Sequence, residues 1–164
     1  MATSGLQVTV HPGAEAWVPA PDVLETLGRA LNVPARVEFL PRSRVREIWD
    51  RDHPRADSFP GHYAFRAYTR DRLVRLFVDH TETRDSALWL LVHELAHVAV
   101  DSNDLLDRAY SSYPRPAAYR TDDRAHEAWP EEQLANNVAD QWGQRLGYAA
   151  GLNRLWWRKR VPRS

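Results

Sequence analysis

The sequence predicts an α+β fold in which a small, mainly antiparallel sheet packs against two long helices. Three observations carry that expectation. Residues 63–68 and 73–79 are rich in aromatic and β-branched side chains and flank Thr69-Arg70-Asp71-Arg72, the pattern of an antiparallel hairpin. Immediately afterwards, residues 86–100 read SALWLLVHELAHVAV, apolar on nearly every face, as in a helix buried all round. A further helix is expected from Pro130, a residue suited to a first helical turn, to about Leu146, with Gly147 as its C-cap.

The remaining elements follow from periodicity. Leu6, Val8 and Val10 alternate with polar residues, a first strand that Pro12-Gly13 ends. Val23, Leu24, Leu27 and Leu31 recur at helical spacing after Asp22, an expected N-cap, and Pro34 closes that segment. Residues 36–40 read as a short strand, and Val45, Ile48 and Trp49 mark an amphipathic helix over 43–51. A loop rich in Asp, His and Pro then runs to Gly61. Residues 101–130 have little periodicity and read as a long loop, a kind of segment that usually carries function.

Length and composition bound the answer. A chain of 164 residues fits one domain, here 1–151, followed by a basic, Trp-rich tail at 152–164. Basic and acidic residues balance at 22 each, so net charge gives no argument for nucleic acid or membrane as the main partner. There is no cysteine, which excludes disulfides and thiolate metal sites and leaves His, Asp and Glu as donors. The N-terminal residues lack the basic start and apolar core of a secretory signal, and no apolar run approaches the ~20 residues of a membrane span. A cytoplasmic protein is expected.

Within the apolar run, His93-Glu94-Leu95-Ala96-His97 is an HExxH motif. Residues four apart on a helix share a face, so both imidazoles can bind one metal ion with Glu94 beside it. Burying two imidazoles and a carboxylate without partners would cost several kcal/mol, and a shared cation answers all three. A catalytic zinc site needs a third protein ligand and an open position for water. Asp101 lies one turn further on the same face, too far along a straight helix. Glu132 heads a stripe of small residues, Ala135, Ala139 and Gly143, along which another helix can approach closely. Glu131, Glu127, His126 and Asp101 stay open as alternatives.

HELAH after a hairpin, followed by Glu132-Gln133-Leu134-Ala135-Asn136, resembles the ImmA/IrrE-type metallopeptidases, whose pattern is HExxH and then ExxAN on the next helix. The resemblance spans roughly residues 61–146 and is concentrated in the two motifs. It implies a zincin-like fold of the gluzincin kind, with His93, His97 and Glu132 as Zn2+ ligands and Glu94 as the catalytic base. It also implies a zinc-dependent peptidase acting on a peptide or protein substrate. The alternative is a zincin-fold binding or regulatory protein with little or no proteolytic activity. No helix-turn-helix module is appended.

Other groups enter as accessories. Tyr110, Tyr113, Tyr119 and His126 are candidate donors to an oxyanion, His80 is a candidate neighbour of the site, and Asn136 or Asp140 can hold a ligand's free N–H. His11, His53 and His62 read as loop residues. The tail places Trp156-Trp157 among Arg154, Arg158, Lys159, Arg160 and Arg163, the one segment through which nucleic acid or an anionic surface can be met. Docking of Leu152, Leu155 and Trp156 on the body is the simpler expectation. Oligomeric state is not legible.

Overall fold

The computed structural model describes residues 5–55, 66–120 and 122–149. Strand β1 (Leu6–Val10) leads into helix α1 (Pro21–Leu31), which returns the chain to β2 (Ala35–Pro41). A helix between two strands carries the chain back to the same end of the sheet, so β1 and β2 pair in parallel, with Leu6 opposite Ala35. Helix α1 starts at Pro21 behind Ala20, and Asp22 lies in its first turn instead of capping it. Proline supplies the helical φ two residues earlier than the expected start.

Helix α2 (Val45–Asp52) follows β2 through a 3-10 turn, and β3 (Ala67–Arg70) and β4 (Leu73–Val78) then form the hairpin. Its turn is shorter than expected: Asp71 and Arg72, at φ 49° and 60°, make a two-residue connection, so Thr69 and Arg70 belong to β3. Positive φ at both positions matches the right-handed twist of the strands. Strand β4 inserts beside β2 in parallel, giving the order β1-β2-β4-β3. The sheet is therefore mixed, not mainly antiparallel. Only β3 and β4 are antiparallel; the strand, helix, strand order over residues 6–40 forces the other sense. Residues 61–65 and the tail lie outside the described residues.

Alternation along the strands separates two cores. Val37 and Phe39 of β2 and Val74, Leu76 and Val78 of β4 face α1 and a long helix, α3 (Arg84–Asp101). On the other face Leu40, Tyr68 and Phe77 pack with Ile48 and Trp49 of α2. Arg75 points to that second face and pairs with Asp52 and Glu38.

Helix α3 begins with a capping box, in which Thr83 Oγ1 accepts from Ser86 N at 3.0 Å and Ser86 Oγ from Thr83 N at 3.0 Å. From Ala87 to Ala96 every residue is buried, because α3 lies between the sheet and α6 (Pro130–Leu146). The segment before α6 is more regular than the sequence suggests. It holds α4 (Asp104–Ser111) and α5 (Asp123–Glu127), with Asn103 and Asp122 as N-caps. Helix α4 has no buried residue, and α5 is a little over one turn long, so neither needs the apolar stripe by which a helix is recognised.

In α6, Ala135 and Ala139 are buried, Ala139 within the main core. Gly143 serves a different contact: a Cβ there would stand 2.6 Å from the Tyr148 carbonyl oxygen. Gly147, at φ 79°, ends the helix and lets Tyr148 turn back to donate to the Ala139 carbonyl at 2.6 Å. Among the described residues no helix is long and apolar enough to cross a membrane.

One ionic cluster fixes the entry to α3. The Glu82 carboxylate, with 2% of its side chain exposed, accepts from Arg42 Nη2 at 2.9 Å and from Ser86 Oγ at 2.6 Å, and pairs with Arg66. Trp17 Nε1 donates to its main-chain oxygen at 3.1 Å. Removing this carboxylate leaves two guanidinium groups without their buried partner. Glu82→Ala is expected to destabilise the fold by about 3–5 kcal/mol. Urea unfolding of variant and parent checks this; a difference under about 1 kcal/mol would show that the arginines find other partners.

Candidate metal centre

His93 and His97 project from one face of α3 towards the first turn of α6. The packing of α3 on α6 that buries Ala135 and Ala139 brings Glu132 to both imidazoles. His93 Nε2 and His97 Nε2 are 3.3 Å apart, and Glu132 Oε2 lies 3.2 Å from the first and 3.5 Å from the second. In a tetrahedral site with bonds of about 2.0–2.1 Å, ligand atoms are separated by about 3.3 Å. The three atoms therefore stand at the edge lengths that a small cation needs. Two imidazole nitrogens and a carboxylate oxygen so placed each offer a lone pair that one cation can take together.

Neighbouring groups orient two of these side chains. Glu131 Oε1 lies 2.6 Å from His97 Nδ1. With Nε2 turned to the cluster, Nδ1 carries the proton and donates it to Glu131, which fixes the tautomer. Tyr119 donates its hydroxyl to Glu132 Oε1 at 2.8 Å, leaving Oε2 to face the histidines. His93 stacks on Trp89 with ring centroids 5.4 Å apart, and Trp89 Nε1 donates to Asp140 Oδ1 at 2.8 Å. Its Nδ1 is buried with no hydrogen-bond partner among the described residues.

Electrostatics follow from this crowding. Burial alone would drive the His97 imidazole towards its neutral form. The Glu132 charge, with hydrogen bonds to Glu131 and Glu132, outweighs burial and holds the pKa well above the usual histidine range. Glu132 is the converse: burial raises its pKa, but His97 and hydrogen bonds from His126 and His93 bring it well below the usual range. His126 is shifted upward, burial being outweighed by its contact with Glu132, and burial together with Glu132 raises Tyr119.

Glu94 is buried beside this group but is not part of it. Its Oε2 accepts from Thr69 Oγ1 at 2.7 Å, so β3 aims the carboxylate. Its charge acts on both His97 and His126, which places it at the same centre.

The structure thus unites His93, His97 and Glu132, three residues able to hold a metal ion, with Glu94 alongside. Glu131, an alternative ligand by sequence, instead bonds the far nitrogen of His97. Asp101 and Glu127 lie outside the ligand group. His126 contacts Glu132 at 3.2 Å without joining it. Of the tyrosines, Tyr119 alone bonds the cluster, while Tyr113 is 50% exposed. His80 is exposed beyond the far end of β4 from Thr69. His11 and His53 belong to the α2 side of the sheet, where they contact Glu38 and Trp49; His62 lies outside the described residues. Asp140 accepts from Trp89, which stacks on His93, and Asn136 is buried.

Thr69 and the orienting role of Glu131 escape the sequence. The Thr69 contact spans 25 residues and has no local signal. Glu131 had one: adjacent helical residues point about 100° apart, so neighbouring carboxylates can reach two different groups. No family model matches the chain, and neither curated proteins nor solved structures give a significant match.

Two expectations follow for metal binding. Glu132→Ala should weaken zinc binding far more than Glu131→Ala, which should cost about 10–100-fold by freeing the His97 ring. Competitive titration against a chromophoric chelator measures both, and an unchanged affinity in the Glu132 variant would put the third donor elsewhere. Metal binding should also release protons. A raised His97 pKa contributes stability that is complete below the unfolded value near 6.5 and is lost as pH rises through the folded value, and a cation must displace that proton. Zinc affinity should therefore rise with pH through the neutral range. Calorimetry in buffers of different ionisation enthalpy detects the release; identical heats would contradict it.

Proposed function

We propose that this chain is a zinc-dependent peptidase of the ImmA/IrrE type, with a zincin-like arrangement of its helices and sheet. The observation that carries the reading is the pairing of a buried His-His-Glu donor set with a separate carboxylate, Glu94, on the same helix and held from a sheet strand. A structural metal site has no use for the fourth group. A bound zinc ion would supply a Lewis acid for a carbonyl and would lower the pKa of a water towards ~7.

The chain's own residues do the rest. Glu94, outside the donor set, takes the proton from the water and passes it to the leaving amine. Thr69 keeps that carboxylate aimed, and Glu131 and Tyr119 do the same for His97 and Glu132. Strand β3 supports a peptide as substrate. It is at one end of the strand order and touches Glu94 through Thr69, so an extended chain lying along that edge would bring its carbonyls to the centre.

Glu94→Gln tests the reading. The variant should keep its zinc and lose at least about 10²-fold in hydrolysis of an unstructured protein library, read by mass spectrometry. Equal turnover by variant and parent would remove Glu94 as the base. A zinc-loaded parent that cleaves nothing would favour a binding or regulatory protein on the same fold.

A further inference from the structure

We propose that His126 donates a hydrogen bond to the oxyanion that develops on the substrate carbonyl, and that the Arg115, Tyr119 and Trp129 side chains position it. The inference rests on the hydrolytic reading of the centre and names a group that HExxH and Glu132 do not include.

Position comes first. His126 Nε2 lies 3.2 Å from Glu132 Oε2, the same oxygen that faces His93 and His97. His126 nevertheless falls outside the set of mutually close donor atoms. Its exposure differs as well: 44% of its side chain is accessible, against 10%, 12% and 6% for His93, His97 and Glu132. The three donors are interior, and His126 is the more exposed group beside them, open to contact with an incoming carbonyl.

Chemistry selects it over the tyrosines. An oxyanion needs an N–H or O–H donor held close but not committed to a neighbour that must keep it. Tyr119 gives its hydroxyl to Glu132 Oε1, and losing that bond would release a ligand carboxylate. Tyr113 is half exposed and has no contact with the donor set among the described residues. His126 contacts Glu132 Oε2, an atom that a bound cation would also engage, so its Nε2–H can turn to a substrate oxygen at small cost.

The support behind His126 is an aromatic cluster. Its ring lies 4.6 Å from Tyr119, tilted by 42°, Tyr119 meets Trp129 edge-on at 5.5 Å, and the Arg115 guanidinium sits 4.6 Å from the Trp129 centroid and 5.1 Å from that of Tyr119. These ring contacts, with a cation over two of the rings, tie the short helix α5 to the start of α6. The donor is thereby placed without being buried.

The test uses the full chain loaded with cobalt(II), whose visible spectrum reports on the metal's surroundings, with inorganic phosphate as a tetrahedral oxyanion probe. Parent, His126→Ala and His126→Gln are compared for metal affinity, for phosphate affinity and, with zinc, for peptide turnover. Metal affinity should stay within about twofold of the parent, while His126→Ala should lose about tenfold or more in phosphate affinity. Turnover should lose about 10²-fold or more in kcat with a smaller change in KM, and His126→Gln, which keeps an N–H donor, should recover part of both losses. Unchanged phosphate affinity in His126→Ala, or a parent that binds cobalt but no phosphate, overturns the assignment. Metal affinity that falls in parallel makes His126 a ligand and overturns it equally. Phosphate binding that depends on His126 in a parent without turnover would leave the donor in place and remove the peptidase reading.

Discussion

Burial of α3 on all sides from Ala87 to Ala96 is the constraint from which the rest of the arrangement follows. Between a sheet and another helix, that stretch has no solvent face on which to leave a polar group, so each polar side chain there must be answered by another element. With His97 just beyond it, three such groups fall within five residues. Strand β3 answers Glu94 with Thr69, the first turn of α6 answers the histidines with Glu131 and Glu132, and the connection between α3 and α6 adds Tyr119 and His126. The centre is therefore built where a sheet strand, two long helices and one connection meet. Moving any of them would strand a buried charge, at a cost of several kcal/mol.

The parts of that centre differ in how firmly they are held. His93, His97 and Glu132 stand on long helices whose packing fixes their backbones, and α3 is tied at its start by the capping box and the Glu82 cluster. Tyr119 and His126 come from short, more exposed pieces of the connection, steadied by contact between their rings. On the proposed reading, the residues that would hold the ion sit on long packed helices, and the group that would turn to a substrate sits on a short one. The same division explains why the apolar residues of α4, Leu105 foremost at 79% exposed, remain at the surface: that helix spans a connection and carries none of the core.

Much of this was legible in the sequence, and the failures have physical causes. Elements that bury a regular stripe or run, β1, β2, α3 and α6, were marked by their own residues. The pairing sense of the sheet was not, because the hairpin signal is local while the parallel partners of β2 are brought together across α1 and α2. Helices α4 and α5 were missed because α4 is short and leaves Leu105 and Leu106 at the surface, and α5 is a little over one turn long; the capping residues Asn103 and Asp122 are the marks they carry. At the centre, His93, His97 and Glu132 could be placed from spacing and a small-residue stripe. Thr69 could not, since its contact depends on how the hairpin lies against α3, and Gly143 was assigned to helix packing when its neighbour is Tyr148.

The way the molecule treats its buried carboxylates gives the centre its meaning. Glu82 is met by Arg42 and Arg66, and Asp52 and Glu38 share Arg75. Arginine is this chain's ordinary answer, as expected where almost every basic residue is arginine. Glu94, Glu131 and Glu132, at 6%, 8% and 4% exposed, form the exception. Among the described residues no arginine or lysine bonds any of them; a threonine, a tyrosine and imidazoles do. Histidine can give up its proton at neutral pH and guanidinium cannot, so only an imidazole set can exchange its protons for a cation. A divalent ion held by His93, His97 and Glu132 would add positive charge where three buried carboxylates meet imidazoles. Elsewhere the chain neutralises buried charge permanently, and here it does so with groups that can be displaced.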